Sequence, residues 1–316
     1  MMNNNKKLIT GIGANVYDTL IMLPEYPAED TKMKADAISS VGGGPTATGL
    51  VAAAKLGGGD VTVDFIGSVA GDDRGRFLLG DFAKWGVGTE YVTVENDCES
   101  FCSFVLLSAK EKTRTCVFHR GNKPPLVLDD RQKERIRNSD ILMVDGNELE
   151  AAIEGAKTIH EGGGKVLYDA GGLYPGVDRL LPHADILIPS EEFALGHTGE
   201  KTAGAAARKL YEKYSPEVVV ITQGKRGGIV YDGTLTSYPI VETEVVDSNG
   251  AGDVFHGAFA FALTKGWDTR KCAMFASGVS ALKCTRVGAR AAVPAYNETI
   301  NLLKENSHDE FQEDMD

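Results

Sequence analysis

A glycine-rich run at residues 245–259 carries the residues of this sequence best suited to chemistry. Its apolar entry is typical of a strand, and the small residues that follow form a turn that opens a helix. Gly250, Ala251 and Gly252 leave backbone N–H groups uncovered at the positive end of that helix, an arrangement that binds phosphate oxygens. Asp253 lies in the first helical turn beside this anion hole.

A carboxylate at Asp253 can take the proton of a hydroxyl group as that group attacks phosphorus. The residues alone leave a second interpretation open. In it, Asp253 only favours the helix N-terminus, and the neighbouring glycines only make a tight turn. His256, three residues further on, shares the helix face of Asp253, and we interpret it as a packing residue.

Buried strands and helices alternate along the chain and must hold this run in place. Short apolar runs predict strands at 8–13, 61–66, 141–144, 166–168, 186–188 and 218–222. Helical spacing predicts helices at 45–56, 74–85, 148–161, 203–214, 251–263, 270–283 and 296–304. The pattern predicts an α/β fold, a doubly wound and mostly parallel sheet with helices on both faces. Ligands of such sheets bind beyond the carboxyl ends of the strands.

Two segments interrupt this alternation with a period of two residues, at 17–41 and 99–119. Such a period is typical of half-exposed antiparallel strands. We interpret both as one accessory sheet, and ordinary surface hairpins are the alternative. The predicted organisation is a core of 1–16, 42–97 and 121–305, an accessory sheet of 17–41 and 98–120, and an acidic, flexible tail of 306–316.

The composition excludes several classes of protein. The 316 residues include 33 Lys and Arg against 45 Asp and Glu, which gives a net charge of −12. That charge repels nucleic acid and anionic membranes, so neither is an expected partner. We find no membrane-spanning run and no signal peptide. The 5 cysteines are scattered, which is typical of reduced thiols in the cytoplasm.

Two motifs resemble the signatures of the PfkB (ribokinase-like) family of carbohydrate kinases. Residues 247–253, DSNGAGD, are similar to its D-T-x-G-A-G-D signature, with Ser248 in place of Thr. Residues 41–49, VGGGPTATG, resemble its glycine-pair segment. The resemblance spans residues 8–294. It implies ATP-dependent phosphoryl transfer to a hydroxyl group of a small sugar or sugar derivative, with Asp253 as catalytic base.

The resemblance also implies a sugar site beneath a lid formed by the accessory sheet. Asp18 corresponds to an aspartate that binds sugar hydroxyls, and Gly43 and Gly44 bring backbone amides close to the sugar. Thr48 replaces the usual asparagine, which changes what that contact recognises. Arg120 matches an element that faces the substrate, where it suits an anionic or polyhydroxylated group.

The nucleotide side of the site is implied by a further motif. Residues 222–228, TQGKRGG, are similar to the T-x-G-x-x-G segment. Thr222, Gly224 and Gly227 therefore form part of the expected ATP site. Ser277 matches the helix that flanks the adenine.

The family implies ATP and Mg²⁺ as cofactors, but its N-x-x-E magnesium motif is altered. Ser190 stands in place of the asparagine, and Phe193 stands in place of the glutamate. Glu191 or Glu192 takes over that role, or else magnesium is held mainly by ATP and water. Asp247 and the loop at 287–290 correspond to the position that encloses potassium in potassium-activated members. K⁺ is therefore a candidate cofactor, with a turn-stabilising role for Asp247 as the alternative.

Local similarity is greatest to the branch of bacterial sulfofructose kinases, around 253–258 and 275–290. The expected acceptor is a ketohexose or sulfo-sugar, fructose, ribose, a phosphorylated hexose or a nucleoside. Exposed edges of the lid suggest a homodimer that forms through it. The alternatives are a nucleoside kinase or a non-catalytic nucleotide- or sugar-sensing module on the same fold. A dehydrogenase is disfavoured, because Val16 stands where a dinucleotide fingerprint needs its third glycine.

Overall fold

The computed structural model describes residues 6–111, 113–306 and 311. Eight strands form the main sheet in the order β14-β13-β12-β11-β10-β9-β1-β4. These strands are β1 Lys7–Ile12, β4 Val61–Phe65, β9 Ile141–Val144, β10 Lys165–Ala170, β11 Ile186–Pro189, β12 Val218–Thr222, β13 Gly228–Tyr231 and β14 Leu235–Tyr238. From β12 to β4 all neighbours are parallel, whereas β13 and β14 are antiparallel additions at one edge.

Helices cover both faces of this sheet. They are α1 Pro45–Gly57, α2 Asp73–Trp85, α3 Asp130–Arg137, α4 Leu149–Gly162, α5 Val177–Leu180, α6 Glu191–Thr198, α7 Ala203–Tyr214, α8 Ala251–Thr264, α9 Thr269–Cys284 and α10 Tyr296–Glu305. Alternate strand residues enter two separate cores: Met143 packs with α1, α8 and α9, and Leu142 packs with α3, α4 and α7. The predicted doubly wound α/β fold is therefore confirmed.

A second sheet of four strands has the order β3-β2-β7-β8. Its strands are β2 Val16–Leu23, β3 Ala37–Gly43, β7 Cys102–Ser108 and β8 Thr113–His119. β8 is exposed along its whole length. The cross-strand register places Asp18 beside Ser103 on one face, and Phe104 beside Val117 on the other. We call this second sheet the lid sheet.

Several elements differ from the sequence-based expectations. The strands β5 Gly67–Ala70 and β6 Val92–Glu95 pair in a small sheet of their own, and α3 and α6 were not expected. Most of the predicted tail lies outside the described residues. Phe311, however, is fully buried against Trp267, so the tail is not solvated there. No helix in the described part of the chain is long and apolar enough to cross a membrane.

Helix ends close to the site are defined by short side-chain caps. The Asp72 carboxylate accepts the N–H of Gly75 at the start of α2, and the Ser190 hydroxyl accepts the N–H of Phe193 at the start of α6. Each bond satisfies an amide that lacks a partner within the helix. These caps fix where α2 and α6 begin relative to the carboxyl ends of the strands.

Close packing of α1 on α8 depends on two glycines, and it positions the start of α8. A Cβ added at Gly257 would collide with the backbone of Gly49. Because backbone atoms cannot move aside as a side-chain end can, we expect Gly257→Ala to destabilise the protein by about 1–3 kcal/mol. Urea denaturation measures this free energy of unfolding.

A matched control for this prediction is Gly80→Ala in α2. Gly80 is also a helical glycine, but a Cβ there would meet no atom within 4 Å. Alanine favours the helix over glycine by roughly 0.5–1 kcal/mol, so Gly80→Ala is expected to stabilise the protein. Equal effects of the two substitutions would contradict the packing argument.

Candidate active site

The first turn of α8 presents backbone amides that have no partner. Gly250 precedes the helix with a positive φ of 74°, a conformation that favours glycine. Among the described residues, the N–H groups of Gly250, Gly252 and Asp253 have no hydrogen-bond acceptor. The predicted anion hole differs at Ala251, whose N–H already donates to the carbonyl oxygen of Ser248 at 3.2 Å. The free amides are therefore those of Gly250 before Ala251 and of Gly252 and Asp253 after it.

The side chain of Asp253, at the end of this group of amides, has a raised pKa. Burial is the main cause that raises its pKa to about 7, and the carboxylates of Asp169 and Asp145 raise it further. Burial also raises the pKa of Asp169 well above its ordinary value. A carboxyl group that titrates near neutrality can accept a proton during a reaction and release it afterwards.

His256 connects α8 to the ends of the central strands. Its Nδ1 lies 2.6 Å from the carbonyl oxygen of Gly252, and its Nε2 lies 3.0 Å from that of Ile188. Nδ1 is also 3.1 Å from Asp169 Oδ2. Burial lowers the pKa of His256. These contacts agree with the interpretation of His256 as a buried packing residue, one that also fixes the first turn of α8.

Asp18 lies at the base of the lid sheet, against Gly43. Its Oδ1 accepts the Ser103 hydroxyl at 2.6 Å, and a Cβ at Gly43 would collide with its carboxylate. Burial raises the pKa of Asp18, whereas Ser103 and Arg290 lower it. Gly44 has a φ of 96°, and a Cβ there would collide with the carbonyl oxygen of Ala14. The glycine pair therefore brings β3, the first loop and Asp18 into close contact.

Arg290 lies behind this group, and sequence reasoning did not identify it as a site residue. Its Nη2 donates to Gly43 O at 2.6 Å and to Asn15 Oδ1 at 3.1 Å. Its Nη1 pairs with Asp81 at 2.5 Å. Asn15 Nδ2 is buried without a partner among the described residues. Its oxygen is held by Arg290, which also binds Gly43 beside Asp18, so the Asn15 amide keeps an unused donor within this group.

Asp145 joins three loops at the carboxyl ends of the strands. Its carboxylate accepts the N–H groups of Ala14 at 2.9 Å, Thr46 at 3.1 Å and Asn147 at 2.9 Å. Asn147 Oδ1 in turn accepts Arg120 Nη1 at 3.0 Å. Arg120, which was predicted to bind the sugar, is therefore hydrogen-bonded to this loop. Its side chain is exposed and lies over the aromatic rings of Phe101 and Phe118.

Thr48, the remaining predicted sugar residue, lies in the first turn of α1. Its side chain is fully buried, and its hydroxyl has no partner among the described residues. A buried hydroxyl without a partner is costly. Thr48, like Asn15, thus places a buried polar group without a partner among the described residues in this region.

An open cleft of about 400 Å³ is lined in part by the first turn of α8. Its lining includes all four predicted nucleotide residues together with the α8 turn and apolar side chains: Thr222, Gly224, Gly227, Ser277, Ser248, Ala251, Gly252, Tyr238, Ile240, Val241 and Phe255. Gly224 has a φ of 56°, and a Cβ there would meet no atom within 4 Å. The structure thus brings the four residues together in one cleft that ends at the free amides.

The altered magnesium motif has a different role in the structure. Ser190 caps α6, and Glu191 accepts the Gln223 amide at 2.7 Å and pairs with Arg226. Glu192 is exposed. The part of the chain that the structure describes contains no group of three or more acidic, His or Cys residues suited to a metal. Glu191 therefore holds the segment at 222–228, which is predicted to bind the nucleotide. The described residues form no preformed magnesium cage around Glu191.

Asp247 organises the turn that precedes α8. Its Oδ1 accepts the N–H of Asn249 and its Oδ2 accepts that of Gly288, both at 2.8 Å. The buried ammonium of Lys283 donates to the carbonyl oxygen of Asp247 at 2.6 Å. The loop that includes Gly288 is thereby fixed to the anion-binding turn.

The fold and these contacts define a class of protein, phosphotransferases with a ribokinase-like α/β fold. A model of the pfkB family of carbohydrate kinases matches residues 8–296, so the chain belongs to this family of ATP-dependent kinases. It is 27% identical over 297 residues to ribokinase of Bacillus subtilis (strain 168), with 92% of this chain and 98% of that protein covered.

One further relative and one solved structure also match most of the chain. Aminoimidazole riboside kinase of Salmonella typhimurium is 28% identical over 292 residues, with 84% of this chain and 88% of that protein covered. The solved structure of Arabidopsis thaliana ribokinase complexed with ribose and ATP superposes with a TM-score of 0.84 at 25% identity, and it covers 95% of this chain and 99% of that one. The family thus fixes the reaction class, while its members differ in the acceptor.

Proposed function

We propose that the protein transfers the γ-phosphoryl group of ATP to a hydroxyl group of a small sugar, with Asp253 as the base. The observation that carries this proposal is the place of Asp253. It lies in the first turn of α8, next to Gly252, which lines the cleft of about 400 Å³. It also interacts electrostatically with Arg290, which donates to the carbonyl oxygen of Gly43 beside Asp18. In this proposal the cleft beside the first turn of α8 binds ATP, and the polar group formed by Asp18, Asn15 and Gly43 binds the acceptor.

In this mechanism Asp18 and the Asn15 amide hold the acceptor, the first as hydrogen-bond acceptor and the second as donor. Asp253 removes the proton from the attacking hydroxyl. The amides of Gly250 and Gly252 stabilise the charge on the transferring group. Mg²⁺ supplies charge neutralisation on the phosphates when bound. Its binding through ATP and water suits the absence of an acidic cage among the described residues.

An acceptor panel tests this function. The release of ADP is measured with ATP and Mg²⁺ against fructose, ribose, phosphorylated hexoses, nucleosides and sulfofructose. Turnover of one class identifies the substrate. Binding of ATP without turnover of any acceptor would favour the nucleotide- or sugar-sensing module instead.

The activity is expected to depend on pH through Asp253. Only its carboxylate form accepts a proton, and its pKa is raised to about 7. Below about pH 7, kcat/KM for the acceptor is therefore expected to fall about tenfold per pH unit. Because Asp169 and His256 titrate close by, the profile reports a pKa shared by the group. A profile that stays flat down to about pH 5 would contradict this assignment.

The lid sheet also supports a proposal of a homodimer. On the face opposite Asp18, the side chains of Ile38, Phe104 and Val117 are 66%, 42% and 59% exposed. A second copy of this sheet would cover these apolar side chains and the exposed β8 edge. Analytical ultracentrifugation tests this proposal, and a monomer at micromolar concentration would overturn it.

A further inference from the structure

A buried lysine lies at the position that the family resemblance assigns to potassium. Lys283 is in the last turn of α9 and is fully buried. Its Nζ donates to the carbonyl oxygen of Asp247 at 2.6 Å and lies 3.8 Å from Asp247 Oδ2. Burial lowers the pKa of Lys283, and the Asp247 carboxylate opposes that effect. The ammonium therefore lies beside the oxygens that a bound cation would need.

The carboxylate of Asp247 is already engaged by the backbone of its own turn and of the neighbouring loop. Each of its carboxylate oxygens accepts one backbone N–H, that of Asn249 or that of Gly288. A potassium ion on Asp247 would have to lie close to the Lys283 ammonium, and two like charges at such a distance repel each other. The residues present therefore do not fit a monovalent metal ion at this position.

We infer that the ammonium of Lys283 replaces a monovalent metal cation beneath the anion-binding turn, so that the kinase needs no potassium. This inference rests on the proposed phosphoryl transfer. It replaces the expectation, taken from the resemblance, that K⁺ is a cofactor.

A second contact explains how α9 supports the turn. The Ser280 hydroxyl, one turn before Lys283, donates to the carbonyl oxygen of Ala251 at 2.9 Å. Lys283 and Ser280 thus bind the two ends of the turn at 247–251. They hold its carbonyl groups toward α9 and leave the amides of Gly250 and Gly252 free for an anion. A covalently attached cation provides this support at any potassium concentration.

The test compares chloride salts of potassium and choline at equal ionic strength, with the panel acceptor that wild type phosphorylates. We expect wild type to turn over equally in both salts. Lys283→Ala removes the ammonium and leaves space for an ion. Its kcat is expected to fall at least about tenfold in choline chloride, as when one electrostatic group of a site is lost, and to recover in potassium chloride. Lys283→Met fills that space with an uncharged chain and is expected to stay impaired in both salts.

Lys209→Ala is the matched control. Lys209 also donates to a carbonyl oxygen, that of Thr198 at 2.7 Å, but on α7. The kcat of Lys209→Ala is expected to be the same in potassium chloride and in choline chloride. Activation of wild type by potassium, or a Lys283→Ala variant that potassium does not restore, would overturn the inference.

Thermal unfolding separates a failure of this inference from a failure of the proposed function, because it needs no acceptor. Potassium, compared with choline, is expected to raise the Tm of Lys283→Ala and to leave the Tm of wild type unchanged. If Lys283→Ala does not fold in choline chloride, its refolding in potassium chloride is the same test. A potassium-specific rise in the Tm of wild type would overturn the inference even if no acceptor were phosphorylated.

Discussion

Asp253→Asn is expected to reduce kcat for sugar phosphorylation by about 10²–10⁴-fold, the usual contribution of a positioned general base. Asparagine has nearly the same shape but cannot accept the proton of the attacking hydroxyl. The free amides of Gly250 and Gly252 remain, so ATP binding is expected to persist. Single-turnover kinetics and nucleotide titration measure the two effects separately.

The stability of this variant provides its control. Burial raises the pKa of Asp253 to about 7. The charged form is therefore disfavoured in the folded protein, and above the ordinary pKa of an aspartate it lowers the stability. The uncharged amide escapes this cost, so at pH 8 Asp253→Asn is expected to unfold at no lower temperature than wild type. Full activity of a well-folded Asp253→Asn would rule out this residue as the base.

Most of the central fold could be predicted from the sequence, because its signals are local. Strands β9 and β12 and helix α7 begin and end at the predicted residues. Their apolar runs and helical spacing are bounded by polar or glycine residues. The antiparallel pair β13 and β14 was not expected. β13 begins at the last residue of the glycine-rich segment at 222–228, and two of the four residues of β14, Thr236 and Ser237, are polar.

The candidate site was predictable where it is built from one stretch of chain. Residues of the 245–259 run and the four residues predicted to bind the nucleotide line one cleft in the structure. Asn15, Asp145 and Arg290 were missed because their roles depend on contacts over long sequence separations: Arg290 binds Asn15 across 275 residues. No periodicity marks such a pair.

The inferred role of Lys283 shows the same limit. The sequence contains Asp247 and the loop near Gly288, and both lie together as the resemblance implies. The reach of the Lys283 side chain from a neighbouring helix could not be read from the motif. A lysine near the end of the mostly apolar helix α9 was a signal in the sequence.

Loss of the Arg290 guanidinium is expected to have the largest effect on stability among side chains near the site. Arg290 and Asp81 are only 3% and 13% exposed. Arg290→Met would leave the Asp81 carboxylate buried without its partner, which costs about 3–5 kcal/mol. Urea denaturation measures this loss. The matched control is Arg137→Met: Arg137 pairs with two carboxylates, those of Glu134 and Glu161, but is more exposed than Arg290, so its loss is expected to cost less than about 1 kcal/mol.

A double variant separates the two causes of this loss. Replacing both partners, in Arg290→Met with Asp81→Leu, removes the unpaired charge and is expected to recover much of the stability. It cannot recover the bonds from Arg290 to Asn15 Oδ1 and Gly43 O. The Asn15 amide would then lose the bond that fixes its orientation. We therefore expect the stabilised double variant to keep its KM for ATP and to show a raised KM for the acceptor. Equal changes in both KM values would contradict this role of Arg290.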